Sequence, residues 1–172
     1  QTGGPYVATT GTTDDWSSSP TWTDCSTGLS GSVRWLRSDP WNYKRYFCVT
    51  SDGIFRNEDP FGGAAWAQIL DNSMLASGYS WQNVYMSINR QGWMLAIAQD
   101  KYMAISLDNG TNWQITRDLA SPTGYAVKIA VSPFSNLGNS RIYCSRGNIF
   151  EVSTDWGYTW STLTTWSGEL GG

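Results

Sequence analysis

Histidine is absent from the 172 residues, so the commonest general base and the commonest zinc ligand are both missing. Any catalysis must run on carboxylates, Tyr, Lys or hydroxyls, and neither a metal nor a cofactor is expected. Two stretches bring such groups together: "SLDNGTNW" at 106–113 and "STDWGYTW" at 153–160 each set a serine two residues ahead of an aspartate, followed by a glycine and a Trp. Elsewhere the candidates are dispersed. Asp52 lies in "TSDG", Asp100 and Lys101 in "QDKY", Arg146 in "SRGN", and Arg117 and Trp81 in longer connecting stretches. Two carboxylates several ångströms apart across a cleft suit glycoside hydrolysis, which makes Asp52 and Asp100 the pair to weigh. Lys101, Arg117 and Arg146 add positive charge, and an exposed Trp81 offers a flat apolar face for a sugar or a partner protein.

The elements that position these residues repeat. Trp22, Trp66, Trp113 and Trp160 close similar segments, "PTWTDC", "AAWAQI", "TNWQIT" and "YTWSTL". Their separations are 66 − 22 = 44, 113 − 66 = 47 and 160 − 113 = 47, the period of four-stranded propeller blades at about 40–50 residues each. Within each period the apolar runs give four strands, A to D. The A strands are "SVRWLR", "NVYMSI" and "VKIAVS", and the B strands "RYFCVT", "WMLAIA" and "RIYCSR". The C strands are "GIFRN", "YMAIS" and "NIFEVS", and each D strand begins at the repeated Trp. Alternation is imperfect, as for sheets covered on both faces. The predicted fold is all-β, a β-propeller segment of four-stranded antiparallel blades.

The division that follows is 1–28 for a partial first blade of strands C and D, 29–72, 73–117 and 118–166 for three further blades, and 167–172 for a flexible tail. About three and a half blades are expected, against four to eight in closed propellers. The expected partners are therefore further propeller blades or other β chains at both ends, since a bare terminal blade exposes strand edges and an apolar face.

"SLDNGTNW" and "STDWGYTW" resemble the Asp-box, Ser/Thr-x-Asp-x-Gly-x-Thr-Trp, of BNR-type propellers of the sialidase, Vps10 and xyloglucanase kind. "NEDPFGGAAW" keeps Asp59, Gly63 and Trp66 with an insertion, and "TTDDWSSSPTW" keeps Thr12, Asp14 and Trp22 with a longer one. The resemblance implies structural roles for Ser106, Asp108, Gly110, Trp113, Ser153, Asp155, Gly157 and Trp160. The aspartate holds the C–D turn by accepting backbone N–H bonds, the glycine supplies a backbone conformation that a Cβ resists, and the Trp fills space between blades. It also implies ligand binding on the opposite rim, formed by the B–C and D–A connections, and an extracytoplasmic setting. Asp52, Asp100, Lys101, Arg117, Arg146 and Trp81 belong to that rim, although polar loop tips are ordinary in any soluble protein. A sialidase-like site needs three arginines, a Tyr–Glu pair and an acid Asp. Arg37, Arg117 and Arg146 are available, but Glu58, Glu151 and Glu169 fall in a degenerate turn, a strand and the tail.

A formal charge of −3 without clustered Lys or Arg argues against nucleic acid as a partner. No apolar run is long enough to span a membrane as a helix. Cys25, Cys48 and Cys144 make at most one disulfide and read as buried free thiols. Among the 11 Trp residues, Trp35, Trp66, Trp93, Trp113 and Trp160 read as packing, whereas Trp16, Trp41, Trp81 and Trp156 fall in turns or loops. The reading that fits best is a noncatalytic propeller segment that serves as scaffold or as a protein- or glycan-binding surface. The alternative is a fragment of a BNR-type glycoside hydrolase.

Overall fold

A computed structural model of the chain describes residues 6–9, 21–81, 84–90, 94–98, 101–118, 127–135 and 139–165. The candidates Asp100, Trp16, Trp93 and Glu169 lie outside these residues, as do Thr12 and Asp14 of the first degenerate turn. Fourteen strands are described: β1 (Tyr6–Thr9), β2 (Thr21–Asp24), β3 (Val33–Asp39), β4 (Asn42–Thr50), β5 (Gly53–Asn57), β6 (Ala67–Asp71), β7 (Val84–Ile88), β8 (Met94–Ala98), β9 (Tyr102–Ser106), β10 (Gln114–Asp118), β11 (Val127–Val131), β12 (Ile142–Arg146), β13 (Ile149–Ser153) and β14 (Ser161–Thr165). They form a two-stranded sheet, β1–β2, and three four-stranded antiparallel meanders, β3–β6, β7–β10 and β11–β14. Among the described residues there is no α-helix, and no helix is long and apolar enough to cross a membrane.

Full burial on both faces explains why the inner strands read as continuous apolar runs. All five residues of β9 are buried, and the pleat sends them alternately to two clusters. Tyr102 and Ala104 join Phe47, Val49, Ile54 and Met86 of the second and third sheets, whereas Met103 and Ile105 join Val131, Ile142 and Cys144 of the fourth. The second sheet divides the same way, since Cys48 and Phe55 turn from that first cluster toward Trp66, Leu29 and Val33. The first two clusters are thus seams between neighbouring sheets.

The first strands of neighbouring meanders meet one another. Trp35 Nε1 donates to Val84 O at 3.0 Å, Arg37 Nη1 to Met86 O at 2.6 Å, and Val131 N to Ser87 Oγ at 2.9 Å. Arg37 therefore ties β3 to β7 by a backbone carbonyl. The outermost strands share another feature. Register shifts leave Ile69, Thr116 and Leu163 as the extra residues of β6, β10 and β14, three positions after Trp66, Trp113 and Trp160 in each case. A repeated bulge at this point adds the same local twist to every outer edge.

Trp66 is 4% exposed and its ring nitrogen donates to Cys25 O at 2.7 Å, crossing from the second sheet to the strand pair ahead of it. The three thiols are free. Cys48 and Cys144 are buried, and burial pushes them up to about 12 and about 11, whereas Cys25 is only half-buried. The last point departs from the expectation of three buried thiols, because Cys25 sits just past the end of β2 rather than inside a strand.

Candidate functional site

The two serine-aspartate turns are built alike. Ser106 and Ser153 end β9 and β13 with their hydroxyls buried. Ser106 Oγ accepts the N–H of Gly110 at 2.7 Å and donates to Asp108 Oδ1 at 2.9 Å, and Ser153 does the same with Gly157 and Asp155, both at 2.8 Å. Asp108 Oδ1 then accepts Asn112 N–H, and Asp155 Oδ1 accepts Thr159 N–H, each at 2.8 Å. Gly110 and Gly157 stand at φ 83° and 87°, in the left-handed region where a Cβ is resisted. Trp113 and Trp160 close the turns by donating from Nε1 to Gly110 O and Gly157 O. For Asp108 the backbone bond from Asn112 is the main cause that holds its carboxyl below its usual range; for Asp155, burial pushes the carboxyl up, but the bonds from Thr159 and Ser153 win and hold it below that range. Both carboxylates are anions whose oxygens accept hydrogen bonds from within their own turn.

The second sheet reaches a related turn with different residues. Asn57, buried at the end of β5, takes the serine's place. Its Oδ1 accepts Asp59 N–H at 2.8 Å and its Nδ2 donates to Ala64 O at 2.6 Å, while Asp59 Oδ1 accepts from Gly62 N. The insertion folds as a 3-10 turn over Pro60–Gly62 that ends on Gly63 at φ 80°. Asn57 was not recognisable as a partner in the motif, because an amide replaces the hydroxyl.

The residue between Asp and Gly reaches across to the preceding sheet. Asn109 and Trp156 are the two non-glycine residues at positive φ among those described, at 61° and 64°. Asn109 Oδ1 accepts Arg45 Nη1 at 2.8 Å, and its carbonyl accepts Arg56 Nη1. Trp156 instead packs on the cluster of Met103, Ile105 and Ile142 that joins the third and fourth sheets. A left-handed Trp costs about 1–2 kcal/mol, and partial burial of its ring against that cluster offsets the cost. Trp156 is thus a packing residue rather than an exposed stacking face.

At the other end, where the B–C and D–A connections lie, the candidates meet three different fates. Trp81 is fully buried, with Nε1 donating to Asp71 O at 2.7 Å and its N–H to Asn72 Oδ1 at 3.0 Å. This corrects the expectation of an exposed platform: the connection after β6 folds back over a 3-10 turn at Asn72–Met74 and drives the indole into the core. Lys101 lies 3.7 Å from Asp118 and 4.9 Å from the ring centres of both Tyr79 and Tyr102, so its charge is neutralised locally. Asp52 is exposed, and among the described residues its carboxylate accepts the neighbouring Ser51 hydroxyl at 3.2 Å.

Arg117 and Arg146 do come together, on Glu151. Arg117 donates from Nη1 to Oε2 at 3.0 Å and from Nη2 to Oε1 at 3.3 Å, and Arg146 Nε donates to Oε2 at 3.0 Å. Glu151 is 5% exposed. Burial alone would raise its proton affinity, but the bonds from Arg146 and Arg117 outweigh it and hold the carboxyl below its usual range. Arg117 also lies 5.1 Å from the Trp160 ring centre. The signal for Glu151 was a charged residue inside a strand of apolar neighbours, a position that needs a charged partner. Other acids at this end cap turns: Asp24 accepts Ser26 N–H at 2.9 Å and Asp71 accepts Ser73 N–H at 2.8 Å. Among the described residues no three His, Cys, Asp or Glu converge as a metal site.

No protein-family model and no curated protein matches the chain. Solved structures do. An ancestral GH74 enzyme superposes with a TM-score of 0.55 at 17% identity, over 81% of this chain and 19% of its own. The nidogen/laminin complex gives 0.53 at 16%, over 81% and 51%. YCF48 bound to a D1 peptide gives 0.52 at 21%, over 83% and 43%. The chain therefore spans about half or less of the length of each. These likenesses concern fold alone, and with three consecutive four-stranded meanders whose first strands meet they establish that the chain has a β-propeller fold.

Proposed function

We propose that the chain is part of a noncatalytic β-propeller that acts as a scaffold and presents a binding surface to a protein or a glycan. The observation that carries this reading is the engagement of both rim arginines by Glu151. A sialidase-like site needs arginines that meet the substrate carboxylate, yet Arg117 and Arg146 are neutralised by a buried partner and Arg37 holds a backbone carbonyl. The likeness of the serine-aspartate turns to the Asp-box belongs to the same reading, as does a setting within a larger assembly of blades. Support for a binding role comes from propellers of similar fold: one is in complex with laminin, and YCF48 is bound to a D1 peptide. The GH74 neighbour favours the alternative of a glycoside hydrolase fragment. Incubation of the purified chain with sialosides and β-glucans separates the two. The proposal expects the substrates back intact, and turnover abolished by Asp52→Asn or Asp100→Asn overturns it.

A further inference from the structure

The end of the propeller that carries the serine-aspartate turns also carries the A–B turns, and two of these are built to hold an aromatic ring outward. β3 and β4 pair Asp39 with Asn42, so Pro40 and Trp41 alone form the hairpin tip. Proline fixes its own φ, and Asp39, buried to 4% exposure, accepts Trp41 N–H on Oδ1 at 2.8 Å. Trp41 remains 48% exposed on this stiff tip. The fourth blade repeats the device with Ser132, Pro133 and Phe134, where Ser132 Oγ accepts Phe134 N–H at 3.4 Å and Phe134 is 86% exposed. Trp81 and Trp156, the other described loop indoles, have gone into packing.

Beside Trp41 lies a cleft of about 310 Å³ at the junction of the second and third blades, the lower end of the roughly 300–1,000 Å³ of small-ligand pockets. Its remaining walls are planar polar groups: the amides of Asn42, Asn89 and Asn109, the Asp39 carboxylate, and the guanidiniums of Arg45 and Arg90. Several are already immobilised. Arg45 Nε sits on Glu58 at 2.9 Å and its Nη1 on Asn109 at 2.8 Å, Asn89 Nδ2 donates to Ser135 O at 3.4 Å, and Arg90 stands 5.9 Å from the Trp41 ring centre.

We propose that this cleft binds a single saccharide ring, with Trp41 against the apolar face of the ring and the amides of Asn42 and Asn109, with Arg90, around its hydroxyls. The proposal rests on the binding reading above and names its ligand class and its place. Sugar hydroxyls both donate and accept, which suits a wall that mixes amide, carboxylate and guanidinium. A simple anion would use the guanidiniums but face the buried Asp39 and leave the Trp41 ring idle. Prefixed side chains also lower the ordering cost of binding.

The test is a glycan array of neutral and acidic oligosaccharides probed with the purified chain, with sodium sulfate as competitor. The result expected is binding to at least one saccharide class, weakened roughly tenfold or more by Trp41→Ala and by Asn42→Ala, and unchanged by Thr164→Ala on the outermost strand. Thermal melts confirm that each variant folds. No binding above background, binding that both cleft variants retain, or complete displacement by sulfate overturns the saccharide site. Cleavage of arrayed glycans would instead contradict the noncatalytic reading, so the two failures are distinct.

Discussion

Arg117 of the third blade and Glu151 of the fourth form a two-pronged ion pair across a blade seam, at 3.0 and 3.3 Å. The carboxylate is buried, and the guanidinium is 16% exposed. A partly buried charged pair of this geometry couples its partners by about 1.5–3 kcal/mol. A double-mutant cycle with Arg117→Met and Glu151→Gln in denaturant melts is expected to return a coupling in that range. A value near zero would mean that the pair does not fasten the seam.

The serine, aspartate and glycine of the two turns are expected to matter for stability. Gly157→Ala places a Cβ at φ 87° and 3.0 Å from Thr116 Oγ1, so a loss of about 1–2 kcal/mol is expected. Gly110→Ala, at φ 83°, follows in the same direction. Asp155→Ala removes a charged acceptor of three hydrogen bonds, from Thr159 N, Thr159 Oγ1 and Ser153 Oγ, and should cost about 1–3 kcal/mol. Chemical denaturation measures all three, and unchanged midpoints would remove the structural account of the turns.

The repeated Trp residues should rank by burial. Trp66→Ala is expected to cost about 3–5 kcal/mol, as large buried aromatics do. Trp113→Ala and Trp160→Ala, only half-buried, should cost less, about 2–3 kcal/mol. The reverse order in unfolding free energies would show that burial does not set their contribution.

Acid should destabilise the fold through a defined set of carboxyls. Glu151, Asp108 and Asp155 are all held below their ordinary values in the folded chain. A depressed folded value means that the stabilisation is fully present above the unfolded values of about 3.9–4.3 and is lost as pH falls through the folded ones. Unfolding free energy is therefore expected to be flat from neutrality to about pH 5 and to fall below it. The fall should be shallower in Asp155→Asn. A decline beginning near neutrality would point to other groups.

The blade plan was legible because its signals are local and periodic: Trp at spacings of 44 and 47, a serine, an aspartate and a glycine at fixed offsets, and apolar runs between them. The candidate rim was not, because its residues act through partners far away in sequence. Arg117 and Glu151 are 34 residues apart, Arg45 and Asn109 64; a glutamate among apolar strand neighbours signals that it needs a charged partner, but only Arg146, five residues before it, is local. Trp81 misled because its surroundings, "GYSWQN", are loop-like, while the fold-back over Asn72–Met74 that buries it is a tertiary event. Trp41 was read correctly as a turn residue, but the strands on either side pair further than the apolar pattern alone predicted, out to Asp39 and Asn42.

Glycoside turnover by the wild-type chain and by Glu151→Gln, measured side by side at high protein concentration, tests most directly whether the rim charges are structural. The account predicts no product from either protein, together with a loss of about 2–3 kcal/mol of stability in the variant, somewhat under the cost of breaking a fully buried pair because both arginines keep some solvent contact. Product release by the wild type that disappears in a still-folded Glu151→Gln would contradict it and make Glu151 part of an active site.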